Sequence, residues 1–89
     1  MASTVVTLTK DVWTKVLTNV TYSGSVHIID LDEEPTAYLV ALVNTGGAAP
    51  AVGFEGGIVF KDSFSPANSV ASDYYVKPLD YNGKIVILT

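Results

Sequence analysis

The longest nearly unbroken apolar stretch is residues 36–43, Thr-Ala-Tyr-Leu-Val-Ala-Leu-Val. Glu33, Glu34 and Pro35 precede it, and Asn44, Thr45, Gly46 and Gly47 follow it. The run therefore stops at eight residues, a length that suits a strand better than a helix. Alternation along a strand places Ala37, Leu39, Ala41 and Val43 on one face and Tyr38, Val40 and Leu42 on the other. Both faces are apolar, so both need cover, either from within the domain or from another chain. Upstream, residues 3–9 (Ser-Thr-Val-Val-Thr-Leu-Thr) are rich in β-branched side chains around a small apolar centre and predict an edge strand. Lys10 and Asp11 mark a turn. Residues 12–16 then set Val12, Thr14 and Val16 against Trp13 and Lys15, and the strand pattern runs on from Thr18 until it breaks at Gly24. Residues 25–31 oppose Val26, Ile28 and Asp30 to His27, Ile29 and Leu31, again without a clean polar face.

Residues 44–57 carry five glycines and Pro50 among small alanines, an irregular segment whose apolar part, residues 48–52, is long for a compact domain and is expected to meet another chain. A short strand at 57–61 and a turn-rich connection at 62–69, with Phe64 tucked beneath it, follow. Residues 70–77 form a strand on which Tyr74 and Tyr75 face opposite ways, one inward and the other to the surface or an interface. Asn82-Gly83 favours a tight reversal before the last strand, residues 84–89. Seven or eight short strands and no helix predict an all-β fold, a small antiparallel sandwich or jelly-roll-like barrel forming one domain over residues 1–89. Two packed sheets with Greek-key connections are expected, with residues 44–57 crossing between the sheets and the first and last strands side by side.

Composition sharpens this. A chain of 89 residues is near the length where a core only modestly outweighs chain entropy. With no Cys it has no disulfide, thiolate or zinc-finger chemistry, and a single His removes a His-rich metal site. The composition is 48% apolar and only 16% charged, against roughly 25% charged in ordinary domains. Part of the apolar surface is therefore expected to be an interface, most simply in a homo-oligomer, a dimer or trimer. The charged residues include five Lys and no Arg, with a net charge of −4, which argues against nucleic acid as a partner. No stretch approaches the roughly 18 apolar residues of a membrane span, so no membrane partner is expected. Residues 1–4 have neither a basic nor a hydrophobic leader region, which implies synthesis in a cytoplasm without a classical secretion signal.

Candidate chemistry is sparse. His27 sits among β-branched neighbours and reads as a satisfied sheet histidine. The cluster Asp30-Leu31-Asp32-Glu33-Glu34 offers oxygen ligands, but it lacks the spacing of a helix-loop-helix calcium site and reads as a solvated turn. The glycines of 44–57 have no Gly-Lys-Ser/Thr and no following helix to hold a phosphate. The Asn19-Val20-Thr21 sequon has no accompanying secretion signal. No nucleophile sits in a recognisable elbow, so the chain is expected to be no enzyme and to carry no cofactor, catalytic residue or metal. Trp13, the only Trp, reads first as an anchor at the core edge and second as an exposed stacking platform.

The succession Val12-Trp13-Thr14-Lys15-Val16, Gly24-Ser25-Val26-His27-Ile28, Glu34-Pro35, a glycine-rich middle, Tyr74-Tyr75-Val76-Lys77 and Gly83-Lys84-Ile85-Val86-Ile87 resembles small all-β bacteriophage virion proteins of the head decoration, or cement, type. The likeness spans nearly the whole chain. It implies a structural protein on the capsid surface of a virion that binds the lattice of the major capsid protein and stabilises the head, made in the host cytoplasm. On that reading the strand at residues 3–9 adds to a neighbouring sheet, the apolar loop supplies a patch, and Trp13, Pro50, Val52 and Tyr75 are the interface residues. The other reading is a tail, fibre or spike-associated β module that binds a carbohydrate or another virion protein, using Trp13, Tyr22, Tyr74 and Tyr81.

Overall fold

A computed structural model of the chain describes residues 3–20, 27–31, 37–51, 53, 57–68 and 70–88. Among the described residues there are eight strands: β1 (Ser3–Leu8), β2 (Thr14–Val20), β3 (His27–Asp30), β4 (Tyr38–Asn44), β5 (Ile58–Phe60), β6 (Ser63–Phe64), β7 (Ser72–Pro78) and β8 (Gly83–Leu88). They form two antiparallel four-stranded sheets. The first, sheet A, has the order β1-β8-β3-β6, and the second, sheet B, the order β2-β7-β4-β5. The pairs β4 with β5, β3 with β6, β2 with β7 and β1 with β8 are the rungs of one long hairpin. Wrapping that hairpin adds the pairs β4 with β7 and β3 with β8 and closes the two sheets. This is the strand order of a jelly roll, so the all-β sandwich expected from the sequence is the observed fold. The first and last strands pair along their whole length, from Ser3 opposite Leu88 to Leu8 opposite Gly83.

Alternation decides what each strand buries. Tyr38 and Val40 of β4, Tyr74 and Val76 of β7, Phe60 of β5, Ile28 of β3, Leu8 of β1 and Ile85 and Ile87 of β8 make one core between the sheets. Removing each such side chain from water is worth about 1.5–3 kcal/mol, the main source of stability in so small a domain. Phe60 stacks on Tyr38, with centroids 5.0 Å apart, and on Phe64 at 5.8 Å, so Phe64 is tucked in as expected, although it belongs to a two-residue strand. The Tyr38 hydroxyl donates to the Asp30 carboxylate at 2.7 Å and so anchors the first residue of β4 to the last of β3. Gly83 leaves room for that ring: a Cβ there would lie 2.5 Å from the Tyr38 hydroxyl oxygen.

Two expectations about connections are corrected. Residues 44–57 do not cross between sheets. They join β4 to β5, neighbours in sheet B, with Val40 opposite Ile58; among the connections between described strands this is the one that stays within a sheet. The crossings are made by the shorter links, because pairing β4 with β5 forces every other rung of the hairpin to alternate sheets. Likewise Asn82-Gly83 does not close a hairpin. It lies on an arch from β7 in sheet B to β8 in sheet A, and the Asn82 side chain accepts from the Lys10 amide at 2.8 Å.

Candidate interaction surface

Trp13 and Pro50, distant in sequence, meet on the outer side of sheet B. The turn between β1 and β2 is fixed by three backbone donations: Lys10 to the Asn82 side chain, Asp11 to the Pro78 carbonyl at 2.9 Å, and Val12 to the Thr9 carbonyl at 3.1 Å. Asp11 takes a positive φ of 63°, a conformation that Asp tolerates better than most residues. Lys10 also donates to the Asp11 carboxylate at 2.9 Å, and that hydrogen bond raises the Lys10 pKa above its ordinary value. The turn delivers Trp13 over β7, where the Lys77 ammonium lies 5.0 Å from the indole ring. From the other side the loop after β4 turns at Gly46, whose φ is +86°, and runs back until Ala49 and Pro50 reach Trp13. Asp11, Val12, Trp13, Ala49 and Pro50 line a cleft of about 130 Å³. That is smaller than the roughly 300–1,000 Å³ of small-molecule pockets and suits one inserted side chain.

Tyr75 is not at this surface. It sits on the outer face of β7 but is only 6% exposed, between Lys15 of β2 and Ala41 of β4, with the Lys15 ammonium 5.8 Å from its ring centre. Its neighbours on that face, Leu39, Ala41, Asp73 and Lys77, are buried too. Asp73 accepts from the Asn19 amide at 2.8 Å and pairs with Lys15 at 3.6 Å. Of the two covers the sequence allowed for this face of β4, the one within the domain is the one observed at Leu39 and Ala41. Val52 lies outside the described residues.

The opposite side of the molecule differs. On the outer face of sheet A, Val5 stands opposite Val86, and Val86 opposite Ile29, so three β-branched side chains form a row across β1, β8 and β3. Leu88, beside Ser3 and His27, extends the row into a patch. Leu31, whose amide donates to the Lys84 carbonyl at 2.8 Å, adds a further apolar side chain. Val5 is 58% and Leu31 46% exposed, while Ile29, Val86 and Leu88 are half-buried between strands. None of these five was singled out from sequence as an interface residue. The signal was present in the missing polar face of residues 25–31, but alternation alone does not say which strands lie side by side.

Residues 32–34 of the acidic cluster lie outside the described residues; among those described, His27 and Tyr74 have partners. His27 Nδ1 lies 3.0 Å from the Ser65 hydroxyl, and the buried Tyr74 donates to the Asn68 side chain at 2.7 Å, so Tyr74 offers no face to a sugar. Tyr22 lies outside the described residues, and Tyr81 is exposed. Among the described residues no three His, Asp or Glu side chains are grouped to hold a metal ion. What the surface offers is contact: a small cleft on one side and an apolar patch on the other. No family model, curated protein or solved structure matches the chain.

Proposed function

We propose that the chain is a structural virion protein, a decoration or cement protein that seats on the major capsid protein lattice of a phage head and stabilises it. The observation that carries this reading is the uncovered apolar row Val5–Val86–Ile29 with Leu31 and Leu88 beside it. A chain with 16% charged residues that buries the centre of one outer sheet face and leaves an apolar row on the other presents a surface for protein contact. The jelly-roll order supports the reading by analogy, since that wrap recurs in viral capsid domains. So does the resemblance of the strand sequence to cement proteins. The Trp13–Pro50 cleft gives a second point at which one side chain of a neighbour is received.

The test is to mix purified protein with undecorated phage heads and measure co-sedimentation and the temperature at which the heads disrupt. Bound protein and a raised disruption temperature support the proposal; heads that remain bare refute it. A carbohydrate-binding tail or fibre module is the second reading, favoured by Asp11 and Trp13 lining one cleft. Binding to glycans that is lost in Trp13→Ala, with heads left bare, selects it.

A further inference from the structure

Four strands stand at sheet edges, and three are protected. β5 has three residues and β6 two, too short to template another strand. β2 has seven, but its pairing with β7 shifts register twice, Asn19 takes a φ of 52°, and Lys15 adds a charge. β1 has none of these devices. It is six residues long, keeps an unbroken register with β8, and contains no charge, no proline and four β-branched residues. Among the described residues its other edge meets no strand. Such an edge in a folded protein is an open set of backbone donors and acceptors that invites pairing.

We infer that the occupant of this edge is a second copy of β1, paired antiparallel about a two-fold axis at Val5, so that two copies of sheet A join into one eight-stranded sheet. The inference deepens the cement reading by naming the oligomer contact. Three observations select the second copy. A two-fold axis sets the strand against its own copy, so an edge charged in one sign would repel itself; β1 is free of charge. The two-fold runs perpendicular to the sheet and keeps outer face with outer face. Centring it on Val5, the most exposed valine of the strand, sets that side chain against its twin and Ser3 against Thr7 of the other copy, a hydroxyl pair able to hydrogen-bond. This register also continues the apolar row without a break, as Ile29–Val86–Val5 followed by Val5–Val86–Ile29 of the second copy. Lys84, two strands apart from its twin's row, falls opposite no like charge. One paired strand buries less than the roughly 800 Å² per partner of a stable complex, so the pair is concentration-dependent in free solution and gains on a lattice from effective concentration.

The chain has no Cys, so one introduced cysteine reports without background. Val5→Cys is compared with Val59→Cys, which is equally exposed, at 58%, on the short edge strand β5. Directly opposed antiparallel residues have Cα separations of about 4.5–5.5 Å, within the disulfide range. Under mild oxidation Val5→Cys is expected to cross-link on the order of tenfold faster than Val59→Cys, the advantage of a pre-associated pair over collision. Ser3→Cys mixed with Thr7→Cys should couple to each other faster than either does to itself. In sedimentation the parent chain should gain mass with concentration, and Val5→Lys, with an unchanged circular dichroism spectrum, should not. Equal cross-linking rates at positions 5 and 59, or self-association that survives Val5→Lys, overturn the inference. A chain that pairs through β1 but leaves phage heads bare refutes the cement reading alone; one that binds heads yet fails the cysteine comparison refutes the β1 pairing alone.

Discussion

The outer faces of the two sheets are built from similar strands and end in opposite states. On sheet B, Leu39, Ala41, Asp73, Tyr75 and Lys77 are buried, and Lys77 is only 3% exposed. Its ammonium is set against the Trp13 ring, and Asp73 is held by the Asn19 amide and Lys15. On sheet A, Val5, Ile29, Val86, Leu88 and Leu31 are apolar and open to varying degrees. Buried polar side chains therefore mark the covered centre of sheet B, where Val59 at the β5 edge stays 58% exposed, while sheet A shows an apolar row beside Lys84. The difference comes from where the long connection goes. Because β4 and β5 stay in sheet B, the connection between them runs back after Gly46 until Ala49 and Pro50 reach Trp13 on that face.

The comparison breaks most visibly at Tyr75. Tyr75→Ala removes a buried aromatic and is expected to cost about 3–5 kcal/mol, read as a lower urea midpoint. A loss below about 1 kcal/mol, typical of exposed sites, would mean that the outer face of sheet B is not sealed. Asp73→Ala strands the Asn19 amide and should cost about 1–3 kcal/mol in the same assay. Gly83→Ala drives a methyl into the Tyr38 ring and should cost about 1–3 kcal/mol, which tests the join between β4 and β8 at the core. On the other side, Val86→Lys should change stability by less than about 1 kcal/mol, because Lys84 already occupies that face two residues away on the same strand. Smallest is Lys77→Met. It keeps the stem over Trp13 and removes the cation, so the emission of the single Trp should shift while the urea midpoint moves by about 1 kcal/mol or less.

Much of the fold was legible because it rests on local alternation. The two apolar faces of residues 36–43 announced a doubly covered strand, and β4 is one: Tyr38 and Val40 face the core, and Leu39 and Ala41 lie under the outer cover. The pairing of the first and last strands was also expected, and β1 lies along β8. The route of residues 44–57 was not legible, since loop length permits either a crossing or a return and only the β4–β5 pairing decides. Tyr75 was legible as facing away from Tyr74, but not as covered, because its cover comes from elements far off in sequence. The burial of Lys77 and Asp73 was hidden for the same reason. Trp13 and Pro50 were named together as interface residues on the resemblance, with no sign that they touch, and the fold sets them in one cleft. The row Val5–Val86–Ile29 exists only once three strands from both ends of the chain are laid side by side.

The most direct test of the bare face of sheet A as the docking surface compares two lysine substitutions on undecorated phage heads. Val86→Lys charges the middle of the apolar row, and Val59→Lys charges an equally simple strand position on the other sheet. Copies bound per head are counted after sedimentation. Binding by Val59→Lys at the level of the parent chain, with Val86→Lys left in the supernatant, is the result expected. Equal binding by both variants, or heads left bare by the parent chain itself, contradicts it.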